Sequence, residues 1–171
     1  MKSLTRLLAA CVLALTFQGI CYSQSSLKDE EGPRVHLDDE LFTATLTSFH
    51  RLLNAIDIGT SLIEYRRELL DAKTEIDPLV AEFPKCQQRT DFEEAVRDYM
   101  IAADVWQIGI QYGDGIPTKT DFYRVLRERY ELKPEPKIGR KVNDDALIRL
   151  IWGIAAARLE RAVKVQKATR Q

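Results

Sequence analysis

Residues 62–83 read LIEYRRELLDAKTEIDPLVAEF. Leu62, Leu69, Ile76 and Phe83 recur in them at every seventh position, and Tyr65, Ala72 and Leu79 stand between. Apolar residues at alternating steps of three and four return to one side of a helix, so the stretch predicts a helix that packs along its length, as in a bundle or coiled coil. Pro78 follows Asp77 and either kinks the last turn or opens a short new helix with Asp77 as its cap.

Working back toward the N-terminus, Ser61 and Glu64 form a capping box that starts this helix. Before it, Asp38 or Asp39 caps another helix whose apolar residues Phe42, Leu46, Phe49, Leu53 and Ile56 share one face. One unbroken helix from Asp39 to Phe83 would be roughly 68 Å long at 1.5 Å per residue, too long for its neighbours to cover. Gly59 is therefore read as a break or sharp bend.

Working forward, Thr90 and Glu93 make a second capping box, and Phe92, Val96, Tyr99, Ala103, Trp106 and Ile110 form the face of the helix that follows. Gly113, Gly115 and Pro117 end it. A shorter helix from about Thr120 to Glu131 carries Phe122, Val125, Leu126 and Tyr130. The run Lys133-Pro134-Glu135-Pro136-Lys137 is an extended connector, because proline disfavours helix at the residue before it. The final helix has Asn143 as cap, Asp144 and Asp145 in its first turn and Lys164, Lys167 and Arg170 near its end, charges placed with the helix dipole. No strand pattern of useful length occurs. The fold class is all-α, a bundle of about four main helices plus one short helix, in a single domain over residues 38–171.

Residues 1–23 read as a secretory signal peptide. Lys2 and Arg6 form its basic start, residues 7–20 an uncharged and mostly apolar run, and Cys21, Tyr22 and Ser23 the small or polar end. Cleavage is expected after Ser23, with Cys21 as second choice. The 14-residue run is shorter than the roughly 20 residues that cross a bilayer, so no transmembrane segment is expected after cleavage. Lipidation at Cys11 or Cys21 is the other alternative. Residues 24–37, with Gly32 and Pro33 among mixed charges, are expected to be a flexible leader.

Export leaves Cys86 as the one remaining thiol, which excludes an intramolecular disulfide. Its surroundings, Pro84-Lys85-Cys86-Gln87-Gln88, read as a polar connector, so exposure is expected, with no assigned role. Gln24 to Asp104 holds 9 basic and 18 acidic residues, and Val105 to Gln171 holds 14 basic and 8 acidic. Opposite halves favour packing against each other and argue against a dedicated nucleic-acid binder. The basic run Arg124, Arg127, Arg129, Lys133, Lys137, Arg140 and Lys141 reads as a solvated face.

Candidate sites are few. No metal-ligand motif, phosphate-binding glycine loop or nucleophile elbow is present. His36 beside Asp38 and Asp39 reads as a solvated acidic segment, and Glu64, Arg67, Glu68 and Asp71 as a surface ion-pair ladder. Met100 and His50 sit on the shoulders of their stripes and are the candidate axial pair for a haem held inside a bundle. A second apolar stripe, Ile101, Val105, Ile108 and Tyr112, lies opposite the Phe92 face. Either the short helix covers it within the chain, or it is a surface for a protein partner or a second copy.

Residues 65–73, Tyr65-Arg66-Arg67-Glu68-Leu69-Leu70-Asp71-Ala72-Lys73, followed by Ala95, Tyr99, Ala102, Ala103, Val105 and Trp106, resemble uncharacterised exported helical proteins of bacteria. The resemblance implies a cell-envelope location and a helical fold, and no activity. The expected function is that of a secreted or periplasmic, non-enzymatic interaction module. The alternative is a small-ligand or cofactor carrier with a pocket near Met100, Trp106 and Trp152.

Overall fold

The computed structural model describes residues 33, 35–113, 115–133 and 141–169. The signal-peptide reading and its lipidation alternatives, most of the leader, and Lys137 and Arg140 of the basic run lie outside the described residues. Five helices and one minimal strand pair make up the described part, in keeping with the all-α bundle expected. No helix among the described residues is long and apolar enough to cross a membrane.

Helix α1 (Asp39–Ile58) begins where the Asp38 carboxylate accepts from the Glu40 and Leu41 amides. It ends at Gly59, whose φ of 82° lies in the left-handed region that glycine enters without steric cost. Helix α2 (Leu62–Ala81) starts at Ser61 with both halves of the capping box formed, and the Ser61 amide holds the Glu64 carboxyl below its ordinary value. The chain thus folds back at Gly59 into an antiparallel hairpin. Glu75 of α2 accepts from Ser48 at 2.7 Å and Arg51 at 2.5 Å on α1, and the Ser48 bond above all lowers its pKa below 4.5. Pro78 lies inside α2 without ending it.

Most of the heptad face is buried: Tyr65, Leu69, Ala72 and Ile76 on α2 and Phe83 just beyond its end are closed to solvent, while Leu62 and Leu79 are half-buried and Val80, outside the expected repeat, is buried instead. On α1 the buried face turns toward Thr45, Ser48 and Leu52 as well as Phe42 and Phe49, leaving Leu46, Leu53 and Ile56 at its margin. The hydroxyls fit inside because Thr45 donates to the Leu41 carbonyl and Ser48 to Glu75.

Helix α3 (Gln87–Tyr112) begins earlier than Thr90 and Glu93 suggested. Thr90 donates to the Cys86 carbonyl one turn back and Glu93 pairs with Arg89, so neither caps the helix. Cys86 is buried at 3 % exposure, not displayed on a connector, because the residues around it close the base of the first core. The end of the leader is also packed rather than free. Leu37 is buried, its amide and carbonyl are held by the Gln166 side chain at 3.0 and 2.7 Å, and the Val35 carbonyl accepts from Gln88.

Strand β1 (Ile116–Pro117) pairs antiparallel with β2 (Lys141–Val142), Ile116 opposite Val142. Two residues per strand are too few to show alternation in sequence. Between them, α4 (Asp121–Arg129) is capped by Thr120. After them, α5 (Asp144–Ala168) is capped by Asn143, whose side chain accepts from the Ala146 amide at 2.7 Å.

Two cores result. In the first, α1, α2, α3 and the C-terminal half of α5 enclose Phe92, which meets Phe42, Phe49 and Phe83 at centroid distances of 5.5, 5.7 and 5.8 Å. In the second, α4 closes over the other end of α3 and α5 through Val105, Ile116, Tyr123, Leu126, Ile148 and Ile151.

Candidate functional site

The stripe Ile101, Val105, Ile108 and Tyr112 faces the second core. Val105 is wholly buried, Ile101 and Ile108 are partly buried against the same cluster, and Tyr112 alone stays 48 % exposed. The short helix does this, Tyr123 and Leu126 supplying the cover while Val125 points outward at 55 % exposure. As a free docking surface the stripe is therefore corrected: its apolar centre is spent within the chain.

Met100 lies on a surface groove of about 560 Å³ between α2 and α3, whose lining includes Ile76, Val80 and Val96 as apolar floor and Lys73, Asp77 and Arg97 as charged walls. His50 on α1 does not line this groove. Neither tryptophan opens into it: Trp106 and Trp152 pack edge to face at 6.4 Å and both lean on Tyr65. Trp152 Nε1 donates to the Tyr65 hydroxyl, which donates to the Tyr99 carbonyl at 2.9 Å. Of the three residues where a carrier pocket was expected, Met100 borders the groove, and the two tryptophans pack against Tyr65. His36 lies 3.8 Å from Asp39 at an exposed position.

The polar side chains that the fold does bring together were not singled out by the sequence. Asp91, Ala95, Asp98, Ala102, Val105 and Gly109 follow one another on α3 at steps of four and three, and all six are buried. This stripe faces α5. Its small residues let α5 approach so closely that a methyl at Gly109 would lie 2.8 Å from Asp144 Cβ. Two carboxylates with no exposed surface lie on the same stripe, and a buried charge survives only when paired and hydrogen-bonded.

Each is saturated. Asp98 Oδ1 accepts from Arg129 Nη2 at 2.8 Å and from the Tyr130 hydroxyl at 2.9 Å, and Oδ2 accepts from Arg158 Nε at 2.9 Å. Asp91 accepts from Gln87 at 3.2 Å and from Arg161, whose Nε spans both oxygens at 3.0 and 3.1 Å. Glu94, one turn between them, accepts from Arg129 at 2.6 Å and lies 3.9 Å from Arg158. Three carboxylates from α3 thus meet four guanidinium groups, one from α4, two from α5 and Arg97 of α3 itself, which pairs with Glu94.

Burial lowers the Arg129 pKa, but bonds to Asp98, Tyr130 and Glu94 outweigh that and raise it, so the group stays charged. Burial first, and the Asp98 charge second, raise the Tyr130 hydroxyl above its ordinary 10, leaving it a fixed donor. The arrangement clamps α4 and α5 onto α3.

Among the large apolar residues left exposed, which also include Ile58, Ile110 and Val125, two share the far side of α2. Ile63 is 82 % exposed and Leu70 60 %, one heptad apart and opposite the buried heptad. No protein-family model, no curated protein and no solved structure matches this chain, so the functional reading rests on this geometry.

Proposed function

We propose that the chain is an exported, non-enzymatic interaction module of the cell envelope that docks a protein through the outer face of α2. The observation that carries this reading is the spaced exposure of Ile63 and Leu70 on a helix whose other side is mostly packed. Isolated exposed apolar residues are ordinary. A pair held one heptad apart on a rigid helix is the pattern that helix-to-helix recognition uses. Supporting it, the buried titratable groups of the ion strip are taken up by packing, and the sequence of residues 1–23 has the basic start and apolar run expected of an export signal.

The test is crosslinking and affinity capture from an envelope fraction, comparing the native chain with Ile63→Asp and Leu70→Asp. Both positions are exposed, so both variants are expected to keep the native circular dichroism and to lose the captured partner. Unchanged capture by folded variants overturns the reading.

A further inference from the structure

The outer face of α2 has a register of its own. Ile63, Arg67, Leu70, Thr74, Asp77 and Ala81 follow at steps of four, three, four, three and four, and all six are exposed. These are the alternating core positions of a second heptad, set on the side opposite Leu69 and Ile76. Arg67 and Asp77 are 68 % and 52 % exposed at their side chains.

Resting on the docking role given to this face, we propose that its occupant is a second copy of the chain, with the two α2 helices antiparallel about an axis level with residue 72. In that register Ile63 lies opposite Ala81 of the second copy, Arg67 opposite Asp77, and Leu70 opposite Thr74. Each apolar residue meets a small one and each charge meets its opposite. A parallel pairing would set Arg67 against Arg67 and Asp77 against Asp77, so charge complementarity selects the antiparallel arrangement.

The present partners of these charges are easily exchanged. Arg67 pairs with its neighbour Glu68 at 3.0 Å, and Asp77 pairs with Lys73. Exposed pairs of this kind contribute only about 0–1 kcal/mol. The seam spans roughly 28 Å of helix, and Asp71 meets its own copy beside the axis. Such a contact falls short of the area of a permanent dimer, and the association is weak and concentration-dependent.

Sedimentation equilibrium on the purified native chain over a range of concentrations tests this, with circular dichroism to confirm folding. The native chain is expected to move from monomer toward dimer as concentration rises. Arg67→Asp alone and Asp77→Arg alone each set like charges across the seam twice per dimer and lower the association constant about tenfold. The double variant restores opposite pairing and regains most of the loss. A monomer at every concentration, or a double variant no better than the singles, overturns the antiparallel dimer. If the chain stays monomeric while Leu70→Asp still abolishes capture of another protein, the dimer fails and the docking role stands.

Discussion

Helix α3 is buried on two sides by opposite means. Toward α1 and α2 it presents Phe92, Val96 and Tyr99, and Phe92 sits among three other phenylalanines. Toward α5 it presents Asp91, Ala95, Asp98, Ala102 and Gly109, and the space is closed by bringing the backbones together and neutralising the charges with arginine. The aromatic side depends on volume and tolerates many apolar solutions. The ionic side depends on matched partners, where loss of one member leaves the others buried and uncompensated. One helix therefore shows that low exposure says nothing about polarity until the partner is known.

The largest disturbance of this comparison is Val105→Asp, which adds a third carboxylate to the α5 stripe without adding an arginine. It is expected to cost about 3–5 kcal/mol, measured as a fall in the urea midpoint and loss of the native circular dichroism at moderate denaturant. Phe92→Ala breaks the aromatic side by cavity formation, also about 3–5 kcal/mol, and the second core around α4 should keep its hydrogen-exchange protection longer than α1 does. Gly109→Ala probes the close approach on its own. Its methyl meets Asp144 Cβ, an atom that cannot swing aside, and a loss of about 1–3 kcal/mol in thermal unfolding is expected. The smallest effect belongs to Glu75 on the α1–α2 hairpin. Its folded pKa is depressed below 4.5, so the stability it contributes is present above that value and lost as pH falls through the folded pKa. Acid titration of Glu75→Gln should show a shallower loss of stability in that window than the native chain.

Much of the aromatic side was legible in sequence. The repeat through Leu62, Leu69, Ile76 and Phe83 and the Ser61–Glu64 capping box locate α2 and the fold-back at Gly59, because both act within a few residues of chain. The start of α3 was misplaced because Thr90 and Glu93 have the letters of a capping box while their side chains bond elsewhere. The ionic side was hidden for a different reason. Nothing local marks Asp91 and Asp98 as buried, and their partners Arg161 and Arg158 lie some sixty to seventy residues further on. A signal was present in the small residues Ala95, Ala102 and Gly109, repeated every seventh position beside those aspartates. A solvated helix face has no need of them. The packing of Leu37 against Gln166 was equally invisible, since it joins the two ends of the described chain.

The central claim is that the buried charges hold the bundle together and leave function to its outer face. Urea unfolding of Asp98→Asn tests it most directly, since the shape is kept while the charge that holds Arg129, Arg158 and Tyr130 is removed. The expected result is a clear fall in stability, of about 3–5 kcal/mol, with unchanged capture of any partner by the protein that remains folded. Stability that is unchanged or raised, as when a strained functional carboxylate is neutralised, would contradict it.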